Sequence, residues 1–530
     1  MKTSLPEKPG DGSGDAGRKE ILYYSGGGIG SDLTTQFLSI LHTLLIIALG
    51  LSPLLLGVLL SVKTLWAALC DPIIAHLSDH ARTRWGRRHP FIFYGSITRL
   101  LVLIAMIAFF PKSQEITPNK ILAAQDQQSQ AASDDGANAA PNEKKDDFLL
   151  SLSTIKASMD TFLSADSGYK RKVAIYLVVC SLIFTTLGSI TKIPYYAMGL
   201  ELCRSYDGRT RLVAYRAVIG KITDLITPWI LPFCLLPMFH NFLDGLFWYA
   251  SFTVAIALPT TILMLRKTRE RPPLPSTNPK PTRPPLLKSI WMTARNIHFL
   301  KILLLYQFFG YAIGIFAQLG IFLNIYYVYS GNALAGATLD GYIATFATVL
   351  TFAALPLFTW SCRRFQKHRA LRFTIIWMSL GMAFRWFLIT PDHPFLQLFL
   401  PFFFSLGIST FYMILSTMMA DVADIDELRH GLRREAMFGA VMGFCMKLTG
   451  TLQPILAGAV LVASGFDISL GGNQSPETFT NMRLLFSFIP AGLLLFGLLI
   501  LWRYPLTREY TGRLKHLLNE ARPKSEPTGV

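Results

Sequence analysis

The sequence predicts an all-α membrane protein of twelve transmembrane helices, arranged as two halves of six with both termini cytoplasmic. Three observations lead there. Apolar residues come in long runs rather than periodic stripes, each near the ~20 residues that a bilayer demands. Basic residues gather in alternate loops between the runs. A proline-rich segment divides the runs six and six. Composition agrees: of 530 residues, 51% are hydrophobic and 16% charged, with a mean hydropathy of +0.39. A soluble domain carries about 25% charged residues.

In the first half the runs fall at 31–50, 53–78, 90–110, 173–199, 212–239 and 245–266. In the second they fall at 298–328, 341–360, 371–390, 396–420, 435–464 and 482–503. Residues 1–30 read as a polar, Gly-rich cytoplasmic tail without a signal-peptide core, so the first span is expected to direct insertion. The halves are then 31–266 and 298–503, and 504–530 is a second cytoplasmic tail. Between spans 3 and 4 lies an insert, 111–172, expected to be extracytoplasmic. Its stretch 112–147 has the Gln, Ala, Asp, Asn and Ser content of a disordered segment, and Ser151–Leu163 is a candidate amphipathic helix. The linker, 267–297, contains Pro272-Pro273-Leu-Pro275 and Pro281-Thr-Arg-Pro284-Pro285, which reads as extended chain.

The loops fix orientation. Arg82, Arg84, Arg87 and Arg88 follow span 2; Arg204, Arg209 and Arg211 follow span 4. Arg266 to Lys288 lie between the halves, Arg363 to Arg372 follow span 8, and Arg429, Arg433 and Arg434 follow span 10. The opposite loops are nearly free of base, so the basic side is cytoplasmic. The same distribution accounts for the net charge of +17 without nucleic acid. Six cysteines, at 70, 180, 203, 234, 362 and 445, lie in or beside spans and read as packing residues. No phosphate loop, His-Glu-x-x-His, Cys-x-x-Cys or nucleophile elbow is present, so an enzyme is not expected.

Two six-helix halves joined by a cytoplasmic linker predict the major facilitator architecture, with a central site. Charged groups inside spans mark that site, because each costs roughly 3 kcal/mol at membrane depth. Asp71 interrupts span 2 and Lys192 span 4; Arg216 and Lys447 sit in spans 5 and 11. Asp32 stands near the start of span 1, where it either caps the helix or binds substrate. Lys221 and Asp224 share a helix face and are expected to pair. Trp66, Tyr195, Tyr196 and Tyr412 either stack on a substrate ring or fill helix interfaces.

Two motifs carry a resemblance. Asp71-Pro72 through Arg88, and Ala420-Asp421-Val-Ala-Asp424-Ile-Asp426-Glu427 through Arg433-Arg434-Glu435, resemble the glycoside–pentoside–hexuronide:cation symporter family, which includes melibiose permease. The resemblance runs over 22–515 apart from the insert. It implies a symporter in the cell membrane, a small-molecule substrate and a monomer, without cofactor or metal. It implies that Asp32 binds sugar, that Tyr196 and Tyr412 stand at aromatic positions of the site, and that Arg216 and Lys447 match a helix 5 arginine and a helix 11 lysine. It implies gating roles for Asp79, Arg82, Arg84, Arg87, Arg88, Asp421, Asp424, Arg433 and Arg434. Lysolipid carriers share the broad group and remain an alternative, as does a transport-inactive sensor.

The chain departs from that pattern at the cation site. Ala67 replaces the first of two span 2 carboxylates, and Lys192 replaces a span 4 acid before Ile193-Pro194-Tyr195. Sodium needs several oxygen ligands. An ammonium ~4 Å away repels it by about 4 kcal/mol at an effective dielectric near 20, roughly a thousandfold in affinity. A proton on Asp71, with Lys192 as its counter-charge, is the expected replacement for sodium. The excess of positive charge favours an anionic substrate such as a hexuronide.

Overall fold

The computed structural model describes residues 16–49, 53–111, 168–203, 205–270, 292–293, 295–364, 367–430, 435–467 and 470–501. Most of the 111–172 insert, the proline-rich linker, the C-terminal tail, and Arg433 and Arg434 lie outside these residues, and so does the side chain of Asp424. Helices form α1 (Arg18–Gly26), α2 (Gly28–Leu49), α3 (Pro53–His80), α4 (His89–Ala108), α5 (Gly168–Leu202), α6 (Tyr206–Ile226), α7 (Ile230–Cys234) and α8 (Phe242–Lys267). They continue as α9 (Ile297–Phe322), α10 (Ala333–Arg364), α11 (Lys367–Leu388), α12 (Leu400–His430), α13 (Glu435–Ala463) and α14 (Pro476–Leu501). Eleven helical segments among the described residues are long and apolar enough to cross a membrane. The 22-residue α2 has the length for a twelfth. This is the major facilitator fold expected from the sequence.

Two compact units divide the chain: Met1–Thr277 with Ala333–Gly341, and Asn278–Asn332 with Tyr342–Val530. In the first, α5 packs on α3 and α4, and α8 packs on α2 and α4. The close approach of α8 to α2 needs Gly30, since a Cβ there would stand 2.5 Å from the Ala257 Cβ and 2.7 Å from its Cα. In the second, α9 lies against α13 and α14, and α11 against α12 and α14, around a core in which Phe309 stacks on Phe411 with ring centroids 3.5 Å apart. Gln453 of α13 donates to the Gly310 carbonyl at 2.7 Å. Outward faces stay apolar. On α3, Leu65, Leu69, Ile73 and Leu77 are all more than half exposed at i, i+4 spacing, a stripe too large for a soluble monomer and suited to hydrocarbon.

Three boundaries differ from the sequence reading. The 1–30 tail contains a helix: α1 packs on α8 and α6, with Ile21 and Tyr24 fully buried. A nine-residue helix has too weak a pattern to stand out beside glycines; its docking comes from Tyr24. That side chain stacks on Tyr195 at 4.5 Å and donates to the Tyr195 carbonyl at 2.7 Å. Gly168–Lys172, taken as insert, form the first turn of α5. The acidic motif after span 10 is helical too, because α12 continues to His430.

Gly30→Ala is expected to cost about 1–3 kcal/mol by overpacking. Gly492→Ala, where a Cβ meets nothing within 4 Å, is expected to be neutral or stabilising. Thermal unfolding of the purified protein in detergent compares them; equal melting temperatures would contradict the assigned α2–α8 contact.

Candidate functional site

Within the first unit, α2, α3, α4 and α5 enclose a cavity of about 280 Å³. This is near the lower end of the roughly 300–1,000 Å³ usual for small-molecule sites. Helical spacing decides what lines it. On α3, Lys63, Ala67 and Asp71 repeat every fourth residue and face inward. The apolar stripe that starts at Leu65 is offset by two residues, about 200° around the helix, and so faces away. On α5, Thr185, Gly188, Ser189, Lys192, Ile193 and Tyr196 follow the same rule, and Thr35 and Leu38 come from α2. Pro72 follows Asp71 and removes one helical hydrogen bond there, which loosens the α3 ladder beside the carboxylate.

Asp71 and Lys192 each have a partner that the sequence did not name. Lys192 Nζ lies 3.8 Å from Asp32 Oδ1 on α2. Asp71 Oδ1 accepts a hydrogen bond from Ser189 Oγ at 2.6 Å. The reason is reach. Ser189 and Lys192 are three residues apart on α5, so they point to adjacent sectors; the short hydroxyl meets α3 and the long ammonium meets α2. Asp32 stands in the second turn of α2, beyond a capping position. Asp71 and Lys192 still share the cavity wall.

Arg216 of α6 lies over the Tyr196 ring at 4.5 Å, and a small recess holds both together with Asp32 and Lys192. Tyr195 and Trp66 are also held by contacts to neighbouring helices. The Tyr195 ring is 5% exposed, stacked on Tyr24, and its hydroxyl donates to the Tyr24 carbonyl at 3.1 Å, so α1 holds it in the packing although it borders the recess. Trp66 Nε1 donates to Thr186 Oγ1 at 2.9 Å, outside the cavity lining. Lys221 and Asp224 pair at 2.8 Å. In the second unit, the half-exposed Tyr412 of α12 packs edge-on against Phe309, and Lys447 stands on α13.

Arg99 escaped the sequence reading. It is the one charged side chain of the apolar run Phe91–Ala108, and that isolation is the signal that could have found it. Its side chain is 4% exposed. It donates to Thr35 Oγ1 at 3.1 Å, reaches the Ser31 carbonyl at 3.4 Å, and lies over Phe184 at 4.4 Å.

At the basic end of the unit, four helix ends are tied together. Arg87 and Arg88 reach Glu201, in the last turn of α5, at 2.8 and 3.0 Å, and Arg88 reaches Asp79 at 3.1 Å. Glu270, just past α8, accepts from the backbone N–H groups of Arg87, Arg88 and His89 at 2.6–2.7 Å. It also meets His89 Nδ1 at 2.6 Å. Neither acid was expected beside Asp79 and these arginines. Gly86 makes the clasp: its φ is +104°, and a Cβ would stand 2.6 Å from the Glu270 carboxylate. Arg82 and Arg84 are exposed beside this network, and Asp421 is buried in α12. Burial pushes the Glu270 carboxyl up, but the His89 ring and the three backbone donors outweigh it and hold the group at about 2.

A family model described as MFS/sugar transport protein matches residues 24–123 and 150–508. An uncharacterized symporter of Synechocystis sp. is 25% identical over 571 aligned residues, which cover 92% of this chain and 94% of the relative. The sodium-dependent lysophosphatidylcholine symporter 1 of Gallus gallus is 25% identical over 174 residues, 32% of each chain. Among solved structures, a bacterial homolog of the human lysosomal transporter Spinster aligns with TM-score 0.53 at 13% identity, covering 95% of this chain and 98% of that one. A D-xylose–proton symporter aligns with TM-score 0.50 at 13% identity, covering 92% and 97%. At these identities the structures speak for the fold alone.

The depressed Glu270 pKa predicts acid sensitivity. The stabilisation is complete above the ordinary value of 4.5 and is lost as pH falls to about 2. The gap in melting temperature between the wild type and Glu270→Gln is expected to be flat from pH 7 to about 4.5 and to close below it. A gap that persists unchanged at pH 2 contradicts the clasp.

Proposed function

The chain belongs to the MFS/sugar transport protein family, and from that premise we propose that it is a proton-coupled symporter of a sugar derivative, a glycoside or hexuronide, working by alternating access. Secondary transport is the level shared by the family and by the symporter that is similar over nearly the whole chain. One observation carries the finer reading: the cavity is walled by ionisable side chains that sit deep in spanning helices.

Asp71 is the coupling group in this reading. It faces the cavity, and its partner suits both of its states. The Ser189 hydroxyl donates to a carboxylate and, once rotated, accepts from a carboxylic acid. A site of this kind loads and unloads a proton without rebuilding its surroundings. Sodium is disfavoured on the same wall, where Ala67 occupies the turn before Asp71 and the cations Lys63, Arg99 and Lys192 stand nearby. Substrate contacts fall to Asp32, Tyr196 and Arg216 in the first unit and to Tyr412 and Lys447 in the second. In this reading the Asp79–Arg88–Glu201–Glu270 network lies at the cytoplasmic edge, and the protein works in the cell membrane as a monomer.

A lysolipid substrate is the second reading, favoured by the local similarity to the lysophosphatidylcholine symporter. Uptake into proteoliposomes separates the two. A panel of glycosides, glucuronides and lysophosphatidylcholine is offered under an imposed pH gradient or an imposed sodium gradient. Glycoside or glucuronide uptake driven by pH alone is the expected result; uptake that requires sodium, or lysolipid uptake alone, overturns it. Asp71→Asn is expected to lower pH-driven accumulation by about 100-fold or more while equilibrium exchange of the same substrate continues.

A further inference from the structure

We propose that His76 and His80 form a two-imidazole site for a divalent transition metal ion, of the Zn²⁺ or Cu²⁺ class, at the basic end of α3, and that the bound ion pins the last turn of that helix. The site lies outside the lining of the first unit's cavity and does not depend on the substrate reading.

Spacing comes first. His76 and His80 are four residues apart, so they stand one above the other on one face of α3. The same spacing lets paired histidines on a metalloprotease helix hold zinc. Their rings lie side by side, with centroids 4.2 Å apart and planes 39° apart. Two nitrogens bound to one zinc ion at ~2.0–2.1 Å sit roughly 3 Å from each other. Rings this close reach that separation by small side-chain rotations, with no change in the helix.

The second observation is the hydrogen bond that sets one ring. His80 Nδ1 lies 2.9 Å from the His76 carbonyl. A carbonyl only accepts, so Nδ1 carries the proton and the neutral ring keeps its lone pair on Nε2. A metal-bound histidine almost always has its other nitrogen anchored in this way, which fixes the tautomer and the orientation of the ring. Here the helix supplies that anchor itself. Both residues are exposed. Measured from Ile73 on the outward apolar stripe, His80 is about 20° and His76 about 60° around the helix. The pair thus continues that stripe as two polar rings where α3 ends.

Local charge favours the ion and limits its strength. His80 is the last residue of α3, where the unpaired carbonyls of the final turn carry partial negative charge. Asp79, between the histidines, is engaged with Arg88 at 3.1 Å. Among the described residues no third His, Cys, Asp or Glu completes a cluster, so water fills the other positions. Imidazole nitrogen with water suits Zn²⁺, Cu²⁺ or Ni²⁺, whereas Ca²⁺ and Mg²⁺ take oxygen ligands. Arg82 and Arg84 oppose a cation, but both are exposed, where water and salt screen them. The bound ion ties two successive turns, and Asp79 rides on the tied turn with its contact to Arg88.

The test uses tag-free, full-length protein in detergent. Zn²⁺ and Cu²⁺ are titrated into the wild type, His76→Ala, His80→Ala and the double variant, with Mg²⁺ as control. Both positions are exposed, so folding is safe, and metal-free melting temperatures verify it. Either single variant is expected to bind Zn²⁺ about 100-fold or more weakly than the wild type, beyond the 10–100-fold that loss of an outer-shell partner costs. Electron paramagnetic resonance of the Cu²⁺ form is expected to show two nitrogen donors in the wild type and one in each single variant. Zn²⁺ is expected to raise the melting temperature of the wild type alone and to slow its amide hydrogen exchange over Leu77–Ala81. Binding unchanged in the double variant, a single nitrogen donor in the wild type, or no binding overturns the site. Binding that vanishes with the pair while exchange over Leu77–Ala81 stays the same supports the site and overturns the pinning.

Discussion

An ionised side chain inside a bilayer has no water to answer it, so the protein itself must supply the counter-charge and hydrogen bonds. In the first unit that constraint organises four helices at once. Arg99 needs Ser31 and Thr35 of α2 and the face of Phe184 on α5. Lys192 of α5 needs Asp32 of α2, and Asp71 of α3 takes the hydroxyl of Ser189. Each of these three side chains has a partner on a neighbouring helix. The packing of α3 and α4 on α5 and the electrostatics of the cavity are one requirement seen twice, since moving either helix strands a charge. The apolar faces that turn outward, as on α3, impose no comparable demand, because hydrocarbon accepts them in any rotation.

Much of this was legible in the sequence. The runs of apolar residues and the alternation of basic loops gave the helices nearly to their ends. The isolated acids and bases named Asp32, Asp71, Lys192 and Arg216, which the fold gathers around one cavity and its recess. Local pairing was readable where it is set by helix geometry, as for Lys221 and Asp224.

Partners between helices were not. A lysine on α5 meets whichever acid lies within its stem's length, and which of Asp32 and Asp71 that is depends on how α2 and α3 are rotated against it. Sequence spacing carries no such information. The stacking of Tyr195 on Tyr24 was hidden for the same reason: Tyr195 is adjacent to Tyr196, but 100° around the helix, on the side that the short α1 covers. Glu201 and Glu270 were hidden among bases that the orientation rule explains completely, so nothing in the local pattern asked for an acid. Gly86 announces a turn, yet only the structure shows that the space without a Cβ is filled by a carboxylate 184 residues later.

The two ends of the first unit differ in how tightly their charges are held, and the difference has a physical use. At the basic edge the contacts are short, between 2.6 and 3.1 Å, and Glu270 accepts from several donors at once. A carboxylate held that way does not exchange partners readily; it fixes the ends of α3, α4, α5 and α8 as one block. Around the cavity the contacts are mixed: Asp71 with Ser189 at 2.6 Å and Arg99 with Thr35 at 3.1 Å are short, whereas Lys192 with Asp32 at 3.8 Å and Arg99 with Ser31 at 3.4 Å are long. Interaction energy falls steeply once donor and acceptor pass the normal range, so these groups lose little when a ligand draws them away. A tightly tied frame at one end and two longer, weaker contacts beside the cavity are thus held within the same set of helices.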